Sequence, residues 1–112
     1  MAYDEDLAER IRHALIGHDD VSERRMFGGI AFMIRGNMAC GVIRDDLMVR
    51  VGPDAHDAAI AEPYVRAMDF TNRPMHGMVY VHPDGVRSDD ELRRWVGAGA
   101  SFATGLPPKS ST

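Results

Sequence analysis

The sequence predicts an α+β fold, a two-layer sandwich of element order α-β-β-β-α-β-β-α whose five-stranded antiparallel sheet carries its helices on one face. Three observations predict it. Alternating apolar runs separated by short Gly-, Asn- and Asp-containing turns mark a meander of strands. Apolar stripes at helical spacing near each end of the chain mark helices able to cover that sheet. A length of 112 residues, 45% hydrophobic and 27% charged, suits one domain with a core of its own.

The first helix follows Asp4, a capping residue. Glu5 and Asp6 suit its positive end, Leu7, Ile11, Ala14 and Leu15 form its stripe, and Gly17 stops it. His18-Asp19-Asp20 reads as a loop. The first strand covers residues 29–35, with Ile30, Phe32 and Ile34 inward. Gly36-Asn37 is the expected two-residue turn, since both residues tolerate positive φ. That turn sets Arg35 opposite Met38, Met33 opposite Cys40 and Phe32 opposite Gly41. After Val42-Ile43, the loop Arg44-Asp45-Asp46 leads into a third strand with Leu47, Val49 and Val51 inward.

Gly52-Pro53 opens a short helix through Ala55, Ala58, Ala59 and Ile60, which Pro63 ends. A fourth strand covers residues 66–70 with Met68 and Phe70 inward, residues 71–77 form a loop, and residues 78–82 form a fifth strand with Val79 and Val81 inward. The last helix begins at a capping box, Ser88-Asp89-Asp90-Glu91, and its stripe is Leu92, Trp95, Val96, Gly99, Phe102 and Ala103. Gly97 and Gly99 either let it approach the sheet closely or mark a break. Residues 1–108 make the domain and residues 109–112 a flexible tail, because Pro107 and Pro108 forbid helix continuation.

With helices on one face, the other face carries Met33, Arg35, Met38, Cys40, Val42, Met48, Arg50, Met78 and Tyr80. Four methionines and a tyrosine are unusual on a solvated strand face, where polar residues are the rule. Flexible thioethers suit surfaces that adapt to a partner. The interface candidates are therefore Met33, Arg35, Met38, Cys40, Met48, Arg50, Met78 and Tyr80, and a homodimer or an unknown protein partner is expected to cover them. The alternative is that the last helix or the tail folds over this face and makes it a second small core.

Other chemistry is poorly supported. A net charge of −4, from 13 Lys and Arg against 17 Asp and Glu, disfavours direct nucleic-acid binding, although Arg24, Arg25, Arg35 and Arg50 are the basic residues a nucleic-acid-associated regulator would use. One cysteine, Cys40, makes no internal disulfide and no zinc cage. Arg50, opposite Cys40 in the expected pairing, would activate its thiol if the chain were an enzyme or ligand carrier. The five histidines show no zinc spacing, and His18 with Asp19 and Asp20, or His56 with Asp54 and Asp57, read as solvated residues. No catalytic residue, cofactor or metal site is expected. No signal-peptide pattern or membrane-length apolar run is visible, so a soluble cytoplasmic protein is expected.

Arg25-Met26-Phe27-Gly28-Gly29 is the most distinctive string; a strand rather than a helix follows the glycines, which favours a structural bend over a phosphate loop. With Gly36-Asn37-Met38-Ala39, the segment Asp46-Leu47-Met48-Val49-Arg50-Val51 and the segment Arg73-Pro74-Met75-His76-Gly77-Met78-Val79-Tyr80-Val81, it resembles the N-terminal domain of the TfoX/Sxy competence-regulator family over roughly residues 3–108. At His76-Gly77-Met78 the chain departs from similar small members, which tend to carry lysine and tryptophan. The resemblance implies a secretion-chaperone-like sandwich and supplies no catalytic residues. In two-domain regulators of the family a helical C-terminal domain follows, and the whole protein acts with the cyclic-AMP receptor protein at competence promoters. This sequence ends at Thr112, so a stand-alone member without that second domain is expected. The methionine-rich face and the resemblance together lead to the expectation of a non-enzymatic protein-binding module, an accessory in transcriptional regulation.

Overall fold

The structure is a computed structural model that describes residues 3–26, 28–70 and 73–107. Helix α1 (Glu5–Ala14) starts where its first turn dictates: the Asp4 carboxylate accepts from the backbone N–H groups of Asp6 and Leu7 at 2.9 and 3.2 Å. Helix α3 (Asp89–Thr104) starts the same way, with the Ser88 hydroxyl accepting from the Glu91 N–H at 3.1 Å. Between them run β1 (Val21–Met26), β2 (Gly29–Ile34), β3 (Asn37–Ile43), β4 (Asp46–Arg50), the short helix α2 (His56–Ile60), β5 (Val65–Phe70) and β6 (Arg73–Val81). The strands form one antiparallel sheet of order β1-β2-β3-β4-β6-β5. Among the described residues no helix is long and apolar enough to cross a membrane.

The sheet has six strands rather than five. The additional one, β1, is the run Val-Ser-Glu-Arg-Arg-Met, exposed throughout except at half-buried Met26. An edge strand is held by its backbone ladder and needs no buried alternation, so a charged run of this kind carries no strand signal in the sequence. Its charges also protect the open edge against pairing with other chains. The fifth predicted strand begins earlier than expected, at Arg73 inside the anticipated loop. Phe27 of the distinctive string, the loop positions 71 and 72, and the tail 109–112 lie outside the described residues.

The β2–β3 register differs from the expected one. Ile34 pairs with Asn37, so the turn is Arg35-Gly36, both at positive φ (53° and 81°), and not Gly36-Asn37. Met33 then faces Met38, whereas Phe32 faces Cys40; the extra residue, Ala39, forms a β-bulge. The bulge turns Cys40 and Val42 toward the helices, and Cys40 lies opposite Val49, not Arg50. Asn37 explains the shift: it is buried, and its side-chain amide donates to the Pro107 carbonyl at 2.9 Å, a bond a turn position would forfeit. That bond also ties down the chain after α3.

Two cores result. On the helix side, Ile30, Phe32, Ile34, Val49, Val79 and Val81 pack against Leu7, Ile11, Trp95 and Val96, as the alternation predicts. The opposite side is not bare. Ala31, Met33, Met48, Met68 and Met78 form a second buried cluster, with Met26, Met38, Ile43 and Tyr80 packed around it. Met48 and Met68 are 0% exposed, and Met33, the most exposed of the five, only 9%. All nine residues come from strands, so no described helix residue supplies this second core. Met68 sits here rather than with the helices because Ala67 pairs with Val79, whose side chain faces them. The Met48 methyl occupies the space a Cβ on Gly41 would take, 2.7 Å from it.

Candidate functional site

The predicted docking face is thus largely interior. Met33, Met48 and Met78 are buried on the strand-only side and Cys40 on the helix side; Met38 and Tyr80 are half-buried rims of the second core. Arg66 roofs Tyr80, its guanidinium 4.6 Å from the ring centroid and 2.8 Å from the Asp46 carboxylate. Arg35 is exposed, but in the hairpin turn. Arg50 lies 5.2 Å from the Phe102 ring centroid. The homodimer expectation loses the surface on which it rested.

The other sequence candidates disperse as well. Arg24 pairs with Ala31 and Arg25 with Ile30, which places them on opposite faces of the sheet, so Arg24, Arg25, Arg35 and Arg50 form no single basic groove. Burial pushes the Cys40 thiol up to about 12, the opposite of an activated thiolate. Among the described residues no three His, Cys, Asp or Glu side chains come together as a metal site. The glycines of the distinctive string are structural. Gly28 has a φ of 75°, and a Cβ on Gly29 would lie 1.9 Å from the Val42 carbonyl oxygen.

What the fold does assemble is a groove between α1 and α3. Arg10 closes one end: its guanidinium donates to the carbonyls of Val86 and Arg87 at 2.9 and 3.2 Å and meets the Asp89 carboxylate at 3.3 Å. These bonds fix α1 against the start of α3. The open cleft beyond measures about 640 Å³ and is lined by Ala14 and Ile16 from the α1 end and Leu92 and Arg93 from α3, with His13 at its rim. Ile16 follows the α1 stripe, just before Gly17 at φ 101°, and is 75% exposed, the most exposed large hydrophobic side chain described. Arg93 has no ion-pair partner among the described residues, so the cleft is locally positive on a chain of net charge −4. Sequence reasoning missed this site. Its signal was Ile16 itself, an isoleucine outside the helical stripe of Leu7, Ile11, Ala14 and Leu15.

A second cleft, of about 440 Å³, lies beside Tyr64, which is 57% exposed and at φ 68°. Its polar groups are already paired within the chain: Asp84 takes Arg87 at 2.7 Å, His82 Nδ1 accepts from the Asp84 N–H, and Arg66 takes Asp46. The α1–α3 groove, with a free guanidinium and a free apolar side chain, is the stronger candidate.

A family model described as the TfoX N-terminal domain matches residues 13–103. The chain belongs to that family. The match takes in the last two residues of α1, the whole sheet and nearly all of α3, so the groove of this TfoX N-terminal domain, Arg10 apart, lies within it. No curated protein and no solved structure matches the chain.

Proposed function

We propose that this TfoX N-terminal domain is a cytoplasmic, non-enzymatic protein-binding module, an accessory in transcriptional regulation, and that its partner docks in the α1–α3 groove. The observation that carries the reading is Ile16, three-quarters exposed at the mouth of a cleft floored by Ala14 and Leu92. Burying an isoleucine side chain is worth about 2 kcal/mol, which a partner recovers and water does not. Family membership supports the regulatory role.

The test compares wild type with Ile16→Asp and with Tyr64→Ser, both surface changes that leave stability within about 0.5 kcal/mol. A partner captured by wild type and by Tyr64→Ser, but lost by Ile16→Asp, supports the groove. Equal capture by Ile16→Asp contradicts it.

A further inference from the structure

We infer that the occupant of the α1–α3 groove is an acidic amphipathic helix of another protein. The inference rests on the docking reading above and adds the partner's chemistry. Its shape follows from the walls. Two packed helices leave between them a channel with an apolar floor, and a third helix fills such a channel with side chains at i, i+3 and i+4.

Its charge follows from the rim. Three basic groups, Arg10, His13 and Arg93, face the cleft against one carboxylate, Asp89. Asp89 is engaged by Arg10 at 3.3 Å, and Arg10 is further held by two backbone carbonyls. The positive charge left for a partner is that of Arg93. Arg94, the adjacent arginine on α3, is excluded from this role: it is bound to Glu62 at 2.8 Å and to Glu91 at 2.9 Å, whereas Arg93 is held by neither. A basic partner would meet this rim with like charge and would be rejected. An acidic helix places a leucine or isoleucine over Ile16 and a carboxylate against Arg93, leaving the groove floor dry.

The probes are two fluorescein-labelled synthetic helical peptides of about 16 residues, roughly the length of α3 and long enough to keep helical structure. They share one leucine stripe and differ only in a polar face of glutamate or of lysine. Fluorescence anisotropy follows their titration with the full chain. The glutamate peptide is expected to saturate, to bind at least about tenfold more tightly than the lysine peptide, and to weaken about tenfold with Arg93→Glu and with added salt. Equal binding of the two peptides, no effect of Arg93→Glu, or no saturation by the glutamate peptide overturns the inference. So does light scattering that shows the groove filled by a second copy of the chain, with self-association lost in Ile16→Asp. These failures differ from failure of the docking reading. If Ile16→Asp releases a captured partner while Arg93→Glu does not, the groove stands as a docking site and only the acidic character of its occupant is wrong.

Discussion

A Cβ placed on Gly99 would lie 2.2 Å from the carbonyl oxygen of Ala39, so α3 rests backbone against backbone on the β3 bulge. Two glycines separated by one residue therefore have opposite roles. Gly97 faces open space with nothing within 4 Å of an added Cβ. Gly99→Ala is expected to cost about 3 kcal/mol, because the helix must lift from the sheet, and Gly97→Ala to stabilise by up to about 1 kcal/mol. Urea unfolding of the two variants checks this; equal effects would contradict the contact.

Met48 tests the second core. It is fully buried in a cluster formed, among the described residues, by strand residues alone, over Gly41. Met48→Glu places a charge where no partner waits, and a loss of about 4 kcal/mol or outright unfolding is expected, whereas Met48→Leu costs below about 1.5 kcal/mol. Thermal unfolding decides it. A Met48→Glu protein as stable as wild type would return this face to the surface.

Cys40 is fully buried, and desolvation raises its thiol to about 12. A thiol reagent at pH 8 is expected to leave the folded protein unlabelled over an hour and to label it fully in denaturant, since the thiolate and the access are both lacking in the fold. Rapid stoichiometric labelling under native conditions would contradict the burial.

Arg12 and Glu23 join α1 to β1 through two hydrogen bonds of 2.7 and 2.9 Å. Bonding to the Arg12 guanidinium holds the Glu23 carboxyl below its ordinary range. The unfolded chain therefore takes up that proton more readily, so the pair stabilises fully above about pH 5 and loses its effect as acid titrates the depressed group. Both side chains are over a third exposed, which limits the effect to below about 1 kcal/mol. Glu23→Gln is expected to be less stable than wild type at pH 7 and to converge with it in acid; a constant difference down to pH 2 would contradict the pairing.

The sequence was most legible where a local signal and the tertiary fold agreed. Asp4 and Ser88 cap the helices they were expected to cap, and all six residues Ile30, Phe32, Ile34, Val49, Val79 and Val81 point at those helices. It was least legible where tertiary contacts overrode local preference. Arg35 accepts a positive φ so that Asn37 can reach the Pro107 carbonyl, and the bulge at Ala39 then reverses Cys40 and Val42. No periodicity encodes a bulge. Met33, Met38, Met48, Met78 and Tyr80 were correctly grouped on one face but wrongly exposed, because strand alternation tells which residues share a side and not what lies over it. Ile16 was overlooked for the converse reason: a residue outside every stripe belongs to no core, and that is what left it at the surface.

The most direct measurement of which side this domain leaves open to a partner is methyl NMR with a soluble paramagnetic probe on the full chain, labelled at methionine and isoleucine. A docking groove between α1 and α3, over a sealed methionine core, predicts strong attenuation of the Ile16 methyl signals and little at Met48 and Met68. Strong attenuation of Met48 and Met68 with a protected Ile16 would contradict it, and would move the interface back to the methionine side of the sheet.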